Sequence, residues 1–132
     1  MPGKTFTQTD AVLNVLRGTN LSGVTPFVGL LSAAPSSDAD SGTELSGGGY
    51  ARQSVTFTAP ATDSGNVRKI DNSADITFPV ATANWPEVVA AALYTASTGG
   101  SMLYWGSLAT PRTVPAGDVL RFAAGALVVK ED

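Results

Sequence analysis

The sequence predicts a mainly β fold, an antiparallel β-sandwich with one short helix near its N-terminus. Fourteen glycines and eight prolines account for 22 of the 132 residues, a share that favours short strands joined by turns. Apolar or alternating segments recur about every ten residues, which is the spacing typical of a sandwich. Hydrophobic residues make up 43% of the chain, enough for a single domain of residues 1–132 to bury its own core. A jelly roll fits this pattern best, and a closed barrel is the alternative.

The first element is a helix over residues 7–17, where apolar side chains recur at helical spacing. Thr7 followed by Asp10 resembles a capping box, and Gly18 ends the helix. A helix of about ten residues is too short to be stable alone in water. We therefore expect residues 1–18 to form an arm that makes a domain-closing or an intermolecular contact. The predicted contact residues are Phe6, Val12, Val15 and Leu16.

The next elements are two strands separated by a long polar segment. Residues 26–31 are almost continuously apolar, which predicts a strand buried on both faces. Residues 33–49 are small, polar and rich in glycine, which predicts a functional or mobile loop. Residues 50–58 alternate, with Val55 and Phe57 on the same face, which predicts a half-buried antiparallel strand.

Two hairpins follow in the predicted order of strands. The first joins residues 67–70 to residues 74–78 through a tight turn, and the second joins residues 88–96 to residues 102–108 across residues 97–100. The last predicted strands are residues 119–122 and 126–130.

The composition argues against most enzymes and against nucleic-acid binding. The chain has no histidine and no cysteine, which removes disulfides, imidazole and thiolate metal sites, and the usual nucleophile pairs. Its net charge is −3, and its eight basic residues form no stripe for a phosphate backbone. No apolar run is long enough to span a bilayer, and no apolar leader is visible at the start. We expect a non-enzymatic protein without cofactor, nucleic acid or membrane partner, made in the cytoplasm.

Acidic residues offer an alternative to a non-enzymatic protein without a cofactor. Residues 38–44 are rich in oxygen ligands, but their glycine comes one position early for a calcium loop, and the twelfth position is Gly49. We expect a solvated loop there, with a weak divalent-cation site as the alternative. Glu44, Glu87 and Asp118 lie in no recognisable glycosidase motif.

Aromatic residues and the low charge of the surface indicate assembly into something larger. Charged residues make up 14% of the chain, against about 25% in an ordinary soluble domain. At strand spacing, aromatic side chains are typical of a core or a subunit contact, although a sugar-stacking platform is an alternative. The candidates for contact are Tyr50, Trp85, Tyr94 and Trp105.

Five segments carry a resemblance to a known family. They are FVGLLS (27–32), GTELSGGGYAR (42–52), ITFPVATANW (76–85), GGSMLYWG (99–106) and VPAGDVLRF (114–122). Together they are similar to a family of small virion structural proteins of tailed bacteriophages, which are often labelled tail-fibre-like and include head decoration, or cement, proteins. The resemblance implies a β-sandwich that binds the outside of a capsid, often as a dimer or trimer, without catalysis.

We therefore expect a capsid decoration protein on the virion surface, assembled in the host cytoplasm. Its expected partners are the major capsid protein, whose neighbouring subunits it bridges as residues 33–49 become ordered, and further copies of itself. A homodimer or another homo-oligomer would form through an edge strand or through a sheet face. That face bears Val88, Ala90, Ala92 and Tyr94. The alternative function is a tail-fibre or receptor- and glycan-binding component.

Overall fold

The computed structural model describes residue 1 and residues 3–131, and within this part of the chain it contains eleven strands and one helix. The helix is α1 (Phe6–Val15). The strands are β1 (Gly3–Lys4), β2 (Phe27–Ala33), β3 (Thr43–Glu44), β4 (Gln53–Ser54), β5 (Ala61–Thr62), β6 (Arg68–Asp71), β7 (Ile76–Thr77), β8 (Val88–Tyr94), β9 (Met102–Arg112), β10 (Arg121–Phe122) and β11 (Val128–Glu131).

Six strands form the main antiparallel sheet, in the order β1-β9-β8-β2, with β3 and β4 both pairing with the free side of β2. The predicted hairpin of residues 88–96 and 102–108 is confirmed, since β8 pairs with β9 and Tyr94 lies opposite Met102. The predicted strand at residues 26–31 is confirmed as β2, which is buried on both faces at its centre.

Two small antiparallel sheets, β7-β10 and β5-β6-β11, complete the architecture. The larger of two hydrophobic clusters joins them to the main sheet. The mainly β prediction is thus confirmed, and the arrangement is compatible with a jelly roll. The core includes Val28, Leu30, Val88, Leu93, Ile76, Phe78, Phe122 and Val129.

The predicted hairpin of residues 67–70 and 74–78 is wrong. β6 pairs with β11 and β5, whereas β7 pairs with β10, so the two segments belong to different sheets. Asn72 lies between them and is only 1% exposed. Its Nδ2 donates to the carbonyl oxygens of Ala74 and Ala123, and its Oδ1 accepts from the Leu127 amide. These bonds hold the chain where it passes from one sheet to the other. The alternation of apolar and polar side chains along a strand does not show such a change of sheet.

The predicted loop at residues 33–49 is partly wrong, because its second half returns to the main sheet. Thr43–Glu44 forms β3, which pairs with β2, and Leu45 enters the core. Gly42 has a φ of +63°, and a Cβ there would collide with the Ala33 carbonyl oxygen. Only glycine suits this reversal. Of the strand predicted at residues 50–58, only β4 forms as a strand. Val55 is buried, and Phe57 forms an isolated bridge.

The helix begins at Phe6, one residue earlier than predicted. Thr5 is its N-cap, since the Thr5 Oγ1 accepts from the Gln8 amide, and the predicted Thr7–Asp10 box is wrong. The same hydroxyl donates to the Met102 carbonyl at 2.7 Å, which ties the cap to β9. Gly18 has a φ of +88° and ends the helix as predicted. Among the described residues, no helix has the length and apolarity needed to cross a membrane.

Candidate interaction surface

Helix α1 contacts the rest of the protein through its polar side. The Gln8 Nε2 donates to the Tyr104 hydroxyl at 3.4 Å, and Ala11 and Asn14 are half-buried. The Phe6 amide donates to the Asp38 carbonyl at 3.1 Å, which joins the helix to the loop before β3. No side chain of α1 is buried. The helix is therefore held by its cap and by hydrogen bonds instead of by an apolar stripe.

The apolar side chains of the helix face solvent. At 100° per residue, Phe6, Leu13, Leu16 and Val12 cover an arc of about 120° opposite the sheet. Leu16 is 87% exposed, and Phe6 and Leu13 are 57% and 56% exposed. We call these four residues the outer face of α1. Val15, on its flank, is also exposed.

This orientation excludes one of the two contacts predicted for the arm. A domain-closing contact through Phe6, Val12, Val15 and Leu16 is wrong, because all four side chains are exposed. The intermolecular contact stays a prediction. Leu13 was missing from the predicted set, although its position seven residues after Phe6 and three before Leu16 places it on the same face.

A groove of about 790 Å³ lies beside the helix and is bordered by the segment of residues 21–26. Leu21 and Val24 of that segment are half exposed and form its upper edge. Charged side chains, including Arg68 and Glu131, lie along the groove. Its apolar lining includes Val55, Phe57, Ile70, Leu93, Leu103, Tyr104 and Val129. The groove meets α1 at Gln8, and Leu21 and Val24 are the exposed large apolar residues along it.

A very different cluster lies at the edge of β2, and we call it the clamp: Glu44, Tyr50 and Arg52. The Arg52 Nε and Nη2 donate to the two carboxylate oxygens of Glu44, each at 2.8 Å. The Tyr50 hydroxyl donates to the Glu44 Oε2 at 2.6 Å and accepts from the Leu30 amide at 3.0 Å. Leu30 lies between the parts of β2 that pair with β3 and with β4. The Tyr50 hydroxyl therefore supplies an acceptor for a backbone amide that neither strand reaches.

The clamp also reaches the turn between β8 and β9. The Arg52 Nη1 donates to the carbonyl oxygens of Ala96 and Gly99, at 2.8 and 2.7 Å. Its guanidinium carbon lies 3.5 Å from the centre of the Tyr94 ring, a cation–π contact. One arginine therefore connects β3, the segment before β4 and the central hairpin.

The clamp is ionised at neutral pH. Burial by itself would raise the pKa of Glu44, but hydrogen bonds from Arg52 and Tyr50 outweigh it and hold that pKa below its usual range. The pKa of Arg52 is raised, mainly by its hydrogen bonds to Glu44. Burial, and then the hydrogen bond to Glu44, raise the pKa of Tyr50. Burial and the charge of Glu44 raise the pKa of Tyr94 to about 12. A carboxylate, a guanidinium and neutral phenols therefore coexist.

The four aromatic candidates belong largely to the interior. The Tyr50 ring meets Trp85 edge to face at 5.8 Å between ring centres, and the Trp85 Nε1 donates to the Gly48 carbonyl at 2.7 Å. Trp85 and Tyr94 are 5% and 6% exposed. Trp105 is partly buried, and no described residue accepts a hydrogen bond from its Nε1. A sugar-stacking platform needs exposed ring faces, which Trp85 and Tyr94 do not offer.

The comparison with known families accounts for the resemblance in the sequence. Residues 4–130 match the family described as Podophage GP4 fiber I protein gp80. The chain belongs to this family. It is thus a phage virion structural protein by family, as the resemblance implied. A comparison with individually curated proteins finds no match.

The segment GTELSGGGYAR, which contributed to the resemblance, supplies all three residues of the clamp in this gp80-family chain. Its role in the structure is to close the β2 edge. Its glycines allow close approach, since a Cβ at Gly48 would lie 3.0 Å from the Trp85 ring. Local spacing did not indicate that Glu44 and Arg52 pair, because their contact depends on the return of β3.

Two further predictions concern the sheet and the acidic loop. The sheet face proposed for self-association is wrong, because Val88, Ala90, Ala92 and Tyr94 are each at most 6% exposed. The edge-strand alternative stays a prediction.

In the acidic loop, Asp40 accepts from the Ser36 and Gly42 amides, and both oxygens of Glu44 bind Arg52. Within the described residues, no three acidic, histidine or cysteine side chains are grouped to hold a metal ion.

Proposed function

We propose that this chain is a non-enzymatic structural subunit of a podophage virion fibre and that it joins another virion chain through the outer face of α1. The observation that carries the proposal is the orientation of the helix, with polar residues against the sheet and apolar residues in solvent. Membership of the gp80 family, whose description names a fibre protein, supports the fibre assignment.

The exposed apolar surface supports assembly because its members are adjacent. Single exposed apolar residues are common on soluble proteins, whereas contiguous ones mark interaction sites. Burying each large side chain of the outer face against a partner is worth about 1.5–3 kcal/mol relative to full exposure. An interface of this kind depends little on ion pairs, so we expect attachment to persist at high salt.

The non-enzymatic assignment is supported by the state of the ionisable groups. The ionisable side chains of the clamp have shifted pKa values. Their donors and acceptors are used in hydrogen bonds to one another and to carbonyl groups of the β8–β9 turn. Ionisable groups with perturbed pKa values mark active sites when they face a cleft and still have free hydrogen-bonding capacity. Here they stabilise the fold.

A capsid decoration, or cement, role is the second candidate. It is favoured by the contact between Phe6 and Asp38, which places the exposed loop of residues 36–41 next to the outer face of α1 and broadens the surface available to a capsid. In that role the chain would bridge neighbouring subunits of the major capsid protein and raise the temperature of genome release.

The test is incorporation into virions. We expect Leu13→Gln/Leu16→Gln to fold but to be missing from purified particles. The control is Val80→Gln/Val119→Gln, which changes two exposed apolar residues outside the helix and should be incorporated normally. Incorporation of the helix variant at the wild-type copy number would overturn the proposal.

Electron microscopy of particles carrying a tagged chain distinguishes the two candidates. Label on fibres supports the fibre role. Label over the head, together with a genome-release temperature that falls when the protein is removed, would replace it with the cement role.

A further inference from the structure

We propose that the groove beside α1 binds an extended segment of a different virion chain, which adds as a strand to residues 20–25. We call these six residues the strap. The bound segment has apolar side chains at alternate positions and one carboxylate, which pairs with Arg68 in the groove. This attachment site is separate from the outer face of α1 and goes beyond the proposed function.

The first support is the unpaired backbone of the strap. The strap continues toward β2 without a turn or a bend. No described residue forms a hydrogen bond with the backbone of residues 20–25, whereas the next residue, Pro26, accepts from the Val55 amide. Unpaired amide and carbonyl groups of an extended segment are a template on which another strand can add. A peptide can use these groups, and an acyl chain cannot.

The second support is the apolar surface inside the groove. Leu21 and Val24 of the strap line it and are about half exposed. The lining also includes residues from two sheets, Leu103 on β9, Ile70 on β6 and Val129 on β11. Successive side chains of a strand point to opposite faces. A strand added to the strap would therefore place every second side chain against this apolar surface.

The third support is the charge of Arg68. Five ion pairs occur among the described residues, and none of them includes Arg68. Its guanidinium donates to the Thr62 hydroxyl at 2.6 Å and to the Pro60 carbonyl at 3.1 Å, and both acceptors are neutral. A guanidinium has five N–H donors, so some remain for a carboxylate of the bound segment.

The acidic residue nearest to Arg68 in the sheet is occupied elsewhere. Glu131 lies opposite Arg68 in the register of β6 and β11. Its carboxylate accepts instead from the Lys4 Nζ at 3.0 and 3.1 Å and from the Tyr104 hydroxyl at 2.6 Å. The groove therefore keeps a cation whose charge no described carboxylate pairs with, and this favours an acidic occupant.

The described part of this chain does not offer such a segment to a neighbouring copy. Its two ends are already paired, β1 with β9 and β11 with β6. Residues 74–78 have the required alternation and one carboxylate, but Ile76 and Phe78 are buried in the core and Asp75 pairs with Arg121. A second copy would have to unfold to supply any of these segments. The occupant is therefore assigned to a different chain.

Hydrogen exchange of the strap tests the proposal with wild-type virions. In the free chain, the amides of residues 21–25 should exchange as fast as those of an unstructured peptide. In virions they should exchange at least about tenfold more slowly, because paired amides are protected. The control is residues 97–100, whose amides also bond to no described residue and which lie outside the groove. Equal exchange of the strap in both samples, or equal protection of the control, would overturn the proposal.

Photocrosslinking in virions identifies the occupant. Benzoylphenylalanine replaces Val24 in one sample and, in the control, Val80, an exposed residue outside the groove. Position 24 should crosslink to a different virion chain, within an alternating apolar segment that contains aspartate or glutamate. A crosslink to a second copy, to a lipid or to a segment without this pattern would overturn the proposal. A yield at position 24 no higher than at position 80 would do the same.

Substitutions of Arg68 test the part played by its charge. Arg68→Glu should lower the crosslink yield at position 24 about tenfold, because an attraction becomes a repulsion. Arg68→Lys keeps the charge but cannot make both bonds to β5 and Pro60, so it should retain most of the yield. The control Arg112→Glu changes an exposed arginine outside the groove and should have no effect. No loss in Arg68→Glu, or an equal loss in Arg68→Lys, would contradict the proposed pairing.

This proposal and the proposed function fail in different ways. If Leu13→Gln/Leu16→Gln is incorporated normally while the strap is protected in virions, the outer face of α1 is not the attachment site and the groove stands. If the leucine variant is excluded from virions but the wild-type strap exchanges freely in them, only the groove proposal fails.

Discussion

The clamp and helix α1 are two regions that both reverse the usual distribution of side chains. In the clamp, charged residues lie inside: the Arg52 and Glu44 side chains are 9% and 25% exposed. In the helix, apolar residues lie outside, and Leu16 is 87% exposed. The clamp has a partner within the chain for each of its charged groups, whereas the outer face of α1 has none among the described residues.

This difference separates the part of the molecule that stabilises the fold from the part available to other chains. A partly buried ion pair persists because hydrogen bonds compensate for the loss of water, so removing one member leaves the other uncompensated. An exposed apolar face contributes little to the folded monomer and gains free energy only when a partner covers it. Substitutions in the clamp should therefore reduce the free energy of unfolding, and substitutions on the outer face should reduce assembly.

The largest expected effect follows removal of the arginine in the clamp. Arg52→Ala leaves Glu44 without its ion pair and two carbonyl groups without a donor, so the free energy of unfolding should fall by about 1.5–3 kcal/mol. Urea unfolding of wild type and variant measures this loss in the free energy of unfolding. The matched control is Arg121→Ala, whose pair with Asp75 is exposed on both sides and should be worth about 0–1 kcal/mol. Equal losses in the two variants would contradict the role given to the clamp.

The next effect comes from the tyrosine hydroxyl. Tyr50→Phe keeps the ring against Trp85 but leaves the Leu30 amide without its acceptor, which should lower the free energy of unfolding by about 1–3 kcal/mol. Tyr104→Phe is the comparison, because its hydroxyl lies in a more accessible contact with Glu131. A smaller loss for Tyr50→Phe than for Tyr104→Phe would show that the gap in the β2 ladder is satisfied in another way.

Acid should weaken the clamp through its carboxylate. The pKa of Glu44 is lower in the folded chain than in the unfolded one, so its contribution is complete above the unfolded pKa of about 4.3 and is lost as the pH falls through the lower folded value. Glu44→Gln lacks this contribution at every pH. The difference in free energy of unfolding between the two proteins should therefore shrink as the pH falls below about 4. A difference that stays constant from pH 6 to pH 3 would contradict the pKa shift.

The smallest effect is expected on the outer face. Leu16→Ala should change the free energy of unfolding of the monomer by less than about 0.5 kcal/mol, because the side chain is exposed. Leu30→Ala, at a fully buried leucine, should cost about 2–5 kcal/mol. Both are measured at a concentration below that of self-association. A large loss for Leu16→Ala would show that the outer face contributes to the fold after all.

Predictions from the sequence succeeded where the partner is near along the chain. The β8–β9 hairpin needs only a seven-residue connection, residues 95–101, between two apolar strands, and both signals are local. Predictions failed where the partner is distant. β6 pairs with β11, almost sixty residues later in the chain, and no alternation of side chains identifies that partner. The same limit hid the clamp, because Glu44 comes to Arg52 only after β3 has returned to β2.

The sequence by itself determined the β class, the position and period of the helix, and the absence of histidine and cysteine chemistry, because each follows from residue types and short-range spacing. It also contained the apolar stripe that includes Phe6 and Leu16. The tertiary structure decided which way that stripe faces. The Thr5 cap bonds to β9 and Gln8 bonds to Tyr104, so the polar side of the helix is held against the sheet. A helix's period gives the width of its apolar face but not its direction, which depends on contacts with residues about a hundred positions away.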